Sequence, residues 1–273
     1  MKFKIVTIFP DFFRGPLDYG IVRRAREAGL VEFALHDLRA FTRDRHKTVD
    51  DRPFGGGEGM VFKPEPLFEC VEALGVAEKN TRDTARESVV LLSACGKRFD
   101  QQMAQELAQI ERVVLICGRY EGVDERVNDY LADREISVGD FVLSGGEIGA
   151  ALIIDAVTRL IPGALGNEAS SRQESFSHSA VTAPIESNGK VAPSSTCGSR
   201  GLLDYPHYTR PAEFRGWRVP EVLAGGNHDE IRRWRRRKAL EKTVKNRPDL
   251  LERLELSEEE RELVEEIRGE HSP

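Results

Sequence analysis

A chain of 273 residues exceeds the usual single-domain size and can bury a substantial core in one or two domains. Its composition is that of a soluble protein, and a net charge of −6 argues mildly against a nucleic-acid partner, because phosphate neutralisation favours basic proteins. The apolar run at 5–9 ends at Pro10-Asp11, too short for a signal peptide, and the run at 150–154 is cut by Asp155, far short of a membrane span; a cytoplasmic location is expected.

From the N-terminus, strand signals at 3–9 and 31–36 flank a helix at 17–28. A long loop at 42–61 follows, carrying the run Gly55-Gly56-Gly57-Glu58-Gly59. A helix at 65–74 precedes a strand at 89–93, and a helix at 101–108 precedes a strand at 113–116. A short strand at 136–138 leads into a helix at 146–159 with a stripe of Leu152, Ile153, Ala156 and Leu160. Such alternation predicts an α/β fold with a mostly parallel sheet and helices on both faces. The C-terminal part differs. Asn227 with Glu230, and Ser257 with Glu260, have capping-box spacing, so helices are expected to start there, with a break at Arg247-Pro248.

Cys70, Cys95, Cys117 and Cys197 contain no CxxC pair and no zinc-ligand spacing, so they are expected to be reduced thiols, with no metal site. Charge is unevenly spread. Residues 229–247 hold nine basic against three acidic side chains, whereas 249–270 hold ten acids against three arginines. A basic patch beside an acidic tail is a pattern whose average misleads. The stretch 232–238 reads either as the wet face of a helix or as an RNA contact.

Two glycine-rich charged clusters each follow an apolar run: Cys117-Gly118-Arg119-Tyr120-Glu121-Gly122 and Ser137-Val138-Gly139-Asp140-Phe141-Val142-Leu143-Ser144-Gly145-Gly146-Glu147. Open α/β sheets bind ligands at such strand ends. Neither a dinucleotide-binding glycine fingerprint nor a P-loop occurs, which weakens those two readings.

These clusters, with Pro206-His207-Tyr208-Thr209-Arg210-Pro211, Ile8-Phe9-Pro10 and the segments 49–60 and 226–234, closely resemble the TrmD family of bacterial tRNA (guanine-N1)-methyltransferases, over almost the whole chain. The resemblance implies a SPOUT fold: a parallel sheet with a deep trefoil knot, here at 89–159, followed by a small all-α C-terminal domain. The implied division is a cofactor domain at 1–165, a flexible linker at 166–205 and a helical tRNA-binding domain at 206–273. S-adenosyl-L-methionine is the implied cofactor. By resemblance it is held by Leu92, Ser93, Gly96, Gly118, Tyr120, Glu121, Val138, Gly139, Asp140, Phe141, Val142, Leu143, Gly145 and Gly146. Glycine suits such loops because a knot brings backbones close; for Gly145-Gly146 a plain helix start is a compatible reading. The implied tRNA contacts are Asp50, Arg52 and Gly59, with Arg232, Arg233 and Arg236.

Methyl transfer to N1 of guanine needs a positioned sulfonium methyl, a base for the N1 proton and a partner for charge on O6. By resemblance the base falls at Glu174, where relatives carry aspartate, and Arg159 stabilises O6; by itself Arg159 also reads as a charge at a helix C-terminus. Asp204 matches a second acidic position that either orients the base or replaces it. Ala94 and Glu58 stand where relatives usually carry proline. Residues 177–200, rich in Ser, Pro, Gly, Ala and Thr, read as a disordered insertion in the linker, with His178 and Cys197 incidental to it.

The implied function is methylation of the guanosine just 3′ of the anticodon by a homodimer whose active sites are shared between subunits. Mg2+ is left open. The alternatives are a non-catalytic tRNA-binding protein with the same fold, or a SPOUT ribose 2′-O-methyltransferase.

Overall fold

The computed structural model describes residues 1–166, 174–176 and 201–270; the expected insertion at 177–200 lies outside the described residues. The chain divides into two compact units, Met1–Gly166 and Asn167–Pro273. No helix among the described residues is long and apolar enough to cross a membrane.

The first unit is built on five parallel strands, β1 (Lys2–Thr7), β2 (Glu32–Asp37), β5 (Glu87–Arg98), β6 (Arg112–Cys117) and β7 (Arg134–Ser137), in the order β2-β1-β6-β5-β7. The short β3 (Asp50–Asp51) and β4 (Val61–Phe62) pair separately. Both faces of the sheet are buried, which is why its central strands read as continuous apolar runs. Alternate residues serve opposite cores. Phe3, Ile5, Val90, Val113 and Leu115 pack against α1 (Gly20–Glu27), α3 (Gln101–Ala108) and α5 (Glu147–Thr158). Val6, Val89, Leu91, Val114 and Ile116 pack against α2 (Pro64–Ala73) and α4 (Glu125–Tyr130).

Three local features differ from the sequence reading. The buried stripe of α5 is Ala150, Ile153, Ile154 and Val157, while Leu152 is exposed. The helix is apolar on most sides, so periodicity did not fix its inner face. Helix α4, unexpected from sequence, is six residues long and buries only Val127; the Asp124 side chain caps it by accepting from Arg126 N. Strand β5 runs past its expected end. Ile136 of β7 is the register partner of both Leu92 and Lys97, with the irregularity between them.

The second unit is mostly helical: a short α6 (Glu221–Ala224) precedes α7 (His228–Asn246) and α8 (Glu258–Glu270), and the last two close over Leu202, Leu240, Leu251, Val264 and Ile267. It is not purely α. Strands β8 (Glu213–Phe214) and β9 (Trp217–Arg218) form a hairpin, turned by Arg215 and Gly216 at φ 53° and 84°. Two successive positive φ values match the twist of a tight hairpin. The expected caps form. Asn227 accepts from Asp229 N and Glu230 N, and Ser257 and Glu260 exchange bonds of 2.9 and 3.2 Å.

The first unit also contains one deeply buried ion pair. Arg82 and Asp133, with side chains 1% and 6% exposed, meet at 2.7 Å. Arg82 also donates to the Ala77 and Leu131 carbonyls, and Asp133 accepts from Val89 N. The pair thereby ties the ends of β5 and β7 to the 77–82 segment. Asp133→Ala would strand a buried guanidinium, and a loss of about 3–5 kcal/mol is expected. The measurement is the urea midpoint; an unchanged midpoint would show that water reaches Arg82.

Candidate active site

The C-terminal ends of β5, β6 and β7 converge on a pocket of about 400 Å3 in the first unit, within the size range of small-ligand sites. Of the expected cofactor residues, Leu92, Ser93, Gly118, Tyr120, Glu121, Val138, Phe141, Val142, Leu143, Gly145 and Gly146 line it. Gly96, Gly139 and Asp140 do not. Gly96 lies against the β7 backbone, where an added Cβ would come within 2.5 Å of the Glu135 carbonyl carbon. Gly139 packs beside the Phe141 ring, and Asp140 is exposed and faces Arg98 at 3.9 Å.

Close backbone approach defines the pocket. Gly146 N donates to Gly118 O at 2.9 Å, Arg119 and Gly145 form a bridge, and a Cβ on Gly146 would stand 2.8 Å from Cys117 Cα. The loop after β6 is strained at Tyr120, a non-glycine residue at φ 58°, whose ring meets Phe62 edge-on at 5.9 Å. Strain of this kind clusters at ligand sites. Glu121 N donates to Met60 O at 3.1 Å, and a Cβ on Gly59 would touch the Glu121 side chain. Asp50 pairs with Phe62 in the β3–β4 ladder. Gly59 and Glu121 are therefore brought together, whereas Asp50 lies across the Phe62 strand from the 122–123 segment, and Arg52 is exposed.

Sequence reasoning missed the group behind the pocket. Glu147, the first residue of α5 and 2% exposed, accepts from Thr7 Oγ1 at 2.8 Å and pairs with Arg119 Nε at 3.2 Å. The Arg119 guanidinium lies 4.4 Å over the Phe9 ring. A glutamate in the first helical turn was the available signal; its burial was not readable.

Arg159 is the C-cap of α5, in the first unit, whereas Glu174 and Asp204 belong to the second. Asp204 N donates to Ser175 Oγ at 2.9 Å, so the two acids are held near each other. Both Asp204 oxygens have partners: Oδ1 accepts from Tyr205 N and Oδ2 lies 2.9 Å from His207 Nε2. On α7, Arg232 pairs with Asp229 and Arg236 with Glu260, while Arg233 is exposed and makes no ion pair among the described residues. Among the described residues no group of three or more His, Cys, Asp or Glu could hold a metal ion.

A family model described as tRNA (Guanine-1)-methyltransferase TrmD matches residues 1–253. The chain belongs to that family. A tRNA (guanine-N(1)-)-methyltransferase of Koribacter versatilis is 65% identical over 269 residues, covering 98% of this chain and 99% of the relative. Relatives of the same name from Dehalococcoides mccartyi and Moorella thermoacetica are each 50% identical, over 273 and 276 residues, covering 100% of this chain and 99% and 100% of their own.

Two buried thiols of the first unit are inert by environment. Burial, then the Glu147 charge, pushes the Cys117 thiol well above its ordinary range, and burial pushes Cys70 up to about 12. Cys95, at the pocket wall, is exposed. Alkylation at pH 8 followed by peptide mapping is expected to label Cys95 and leave Cys70 and Cys117 untouched until denaturant is added. Rapid labelling of Cys117 in the folded chain would contradict the packing behind the pocket.

Proposed function

We propose that this chain transfers a methyl group from S-adenosyl-L-methionine to N1 of the guanosine immediately 3′ of the anticodon in tRNA. The carrying observation is the glycine-built pocket at three strand ends in a chain matched by the tRNA methyltransferase family over residues 1–253. When bound, the cofactor supplies an electrophilic methyl on sulfonium. The flat, Cβ-free walls at Gly118, Gly145 and Gly146 suit close backbone contact with a nucleoside, and Glu121 and Glu125 offer carboxylates to its polar or cationic parts, or to Mg2+. Membership of the family does not favour the non-catalytic or ribose-methylating readings.

In this reading Glu174 takes the N1 proton of the guanine, leaving the N1 electron pair free for the methyl group that the bound cofactor would supply. Arg159 balances charge on O6. The engagement of both Asp204 oxygens supports a positioning role for that residue; the choice of Glu174 as the base rests on the family resemblance. A trefoil knot over 89–159 belongs to the same reading, supported by the double pairing of Ile136, by Phe99 N donating to Ser137 O at 2.7 Å, and by the tight fit of Gly96. So does a cytoplasmic homodimer with shared active sites: Phe12 and Ile148, on elements that pack together, are exposed, as are Phe9 and Leu152. Asp50, Arg52 and Gly59, with Arg232 and Arg233, make up its tRNA-facing set; Arg236, expected among them, is half-buried against Glu260 and turned from phosphate.

Two outcomes are expected. Glu174→Gln keeps the side-chain size and removes the acceptor, so methyl transfer should fall about 10²–10⁴-fold with cofactor and tRNA binding unchanged. The readout is labelled-methyl transfer to tRNA with identification of the modified nucleoside, with and without Mg2+. Loss of turnover in Asp204→Asn but not in Glu174→Gln would move the base to Asp204. Separately, Arg233→Glu should weaken tRNA binding and lower the slope of log K against log salt by about one unit. An unchanged slope would make the α7 surface a solvated helix face.

A further inference from the structure

The second unit holds a cavity of its own, about 940 Å3, between the segment 205–212, the β8–β9 hairpin and the start of α7. Its wall is aromatic and carries three arginines, Arg210, Arg218 and Arg235, against two glutamates, Glu213 and Glu221. Tyr208, 50% exposed, stands 6.3 Å from Trp234 with the rings tilted by 56°. Arg235 lies 4.9 Å over the Tyr205 ring, and Tyr205 in turn stands 4.7 Å from His207. Arg210 adds a second cation at the rim, and Arg218 neutralises Glu213 across the hairpin at 2.7 Å. On the same hairpin Phe214 and Trp217 are 55% and 70% exposed.

We infer that this cavity takes an unpaired nucleobase of the substrate RNA, stacked on the open face of Tyr208, with its flanking phosphates on Arg210 and Arg235. The assignment rests on the reading of the chain as a tRNA-modifying enzyme and adds to it a base-holding site outside the methyl-donor pocket. Three properties carry it. A ring held by Trp234 presents a fixed π face, which every base can stack on. Cations stand beside the rings, as a phosphate-linked base requires and an apolar peptide does not. Three large aromatics between 208 and 217 are at least half exposed, so rings are open to a stacking partner beside the cations.

The test uses the full chain carrying Trp217→Phe, which leaves Trp234 as the sole tryptophan, since the sequence contains two. A short single-stranded RNA without guanine should quench Trp234 fluorescence, and the same strand annealed to its complement should not. Tyr208→Ala should abolish the quench and weaken tRNA binding roughly five- to 150-fold, the equivalent of about 1–3 kcal/mol for one stacked base, with cofactor affinity unchanged. Tyr208→Phe should restore both. Equal quenching by duplex and single strand, or by adenosine monophosphate at the same base concentration, would overturn the assignment. If Tyr208→Ala does not fold, the comparison of strand with duplex decides alone. Formation of N1-methylguanosine by the wild-type chain without a quench would sink the cavity proposal and keep the function. A quench without methyl transfer to any tRNA would do the reverse.

Discussion

Glu147 is a buried carboxylate at the first turn of α5, and three elements depend on it: the end of β1 through Thr7, the loop after β6 through Arg119, and the helix itself. An isolated charge at that depth would cost several kcal/mol. Here the cost is offset by the hydroxyl, the guanidinium and the positive end of the helix dipole. The pocket inherits its shape from this arrangement. With Arg119 drawn inward to Glu147 and laid over Phe9, the backbone of 118–119 meets that of 145–146, and only glycine fits where they touch. The binding loops are thus ordered by a polar core behind them.

What could be read from the sequence follows the physics of each segment. The run 113–116 announced a strand because both sheet faces are covered and no residue of it needed to be polar. The helix starts at Asn227 and Ser257 were legible because capping is local chemistry. Helix α4 was not, since six residues with one buried valine carry no period. The β8–β9 hairpin rests on Arg215 at positive φ, a conformation an arginine does not advertise. At the site, the glycine loops were legible through resemblance to relatives. The Thr7–Glu147 bond joins residues 140 apart in sequence, and no local signal encodes it.

The charge pattern of the C-terminal part shows the same limit. Basic 229–247 and acidic 249–270 read as two opposed patches, but α7 and α8 pack together and partly cancel. Arg236 meets Glu260, and Arg237 meets Glu266 and Glu270 at 3.0 and 3.1 Å. These contacts assemble the helical unit and withdraw two of the arginines from phosphate. Lys238 is held by Glu241. What remains outward on the first turns of α7 is Arg233, together with Arg232 beside Asp229 and Arg235 above Tyr205. A salt-dependent affinity from so few cations would be modest, and aromatic stacking is the term able to supplement it, because it is insensitive to ionic strength.

The link between that surface and the proposed base runs through Asp204. Its amide donates to Ser175 Oγ, next to Glu174, and its carboxylate spans Tyr205 N and His207 Nε2. Phe176 N donates to Leu202 O, and Arg247 lies 5.9 Å over the Phe176 ring, so the 174–176 segment is moored to Leu202, Asp204 and Arg247. His207 and Tyr205 are also walls of the aromatic cavity. The position of the Glu174 segment is therefore set by the same short stretch, 202–207, that shapes the cavity. A nucleobase held on Tyr208 would stiffen that stretch, and the entropy of placing a side chain longer than aspartate would be lost on RNA binding and not at the chemical step. Glutamate would be tolerable as the proposed base on that condition: its added methylene would matter less with the backbone beneath it fixed before the proton moves.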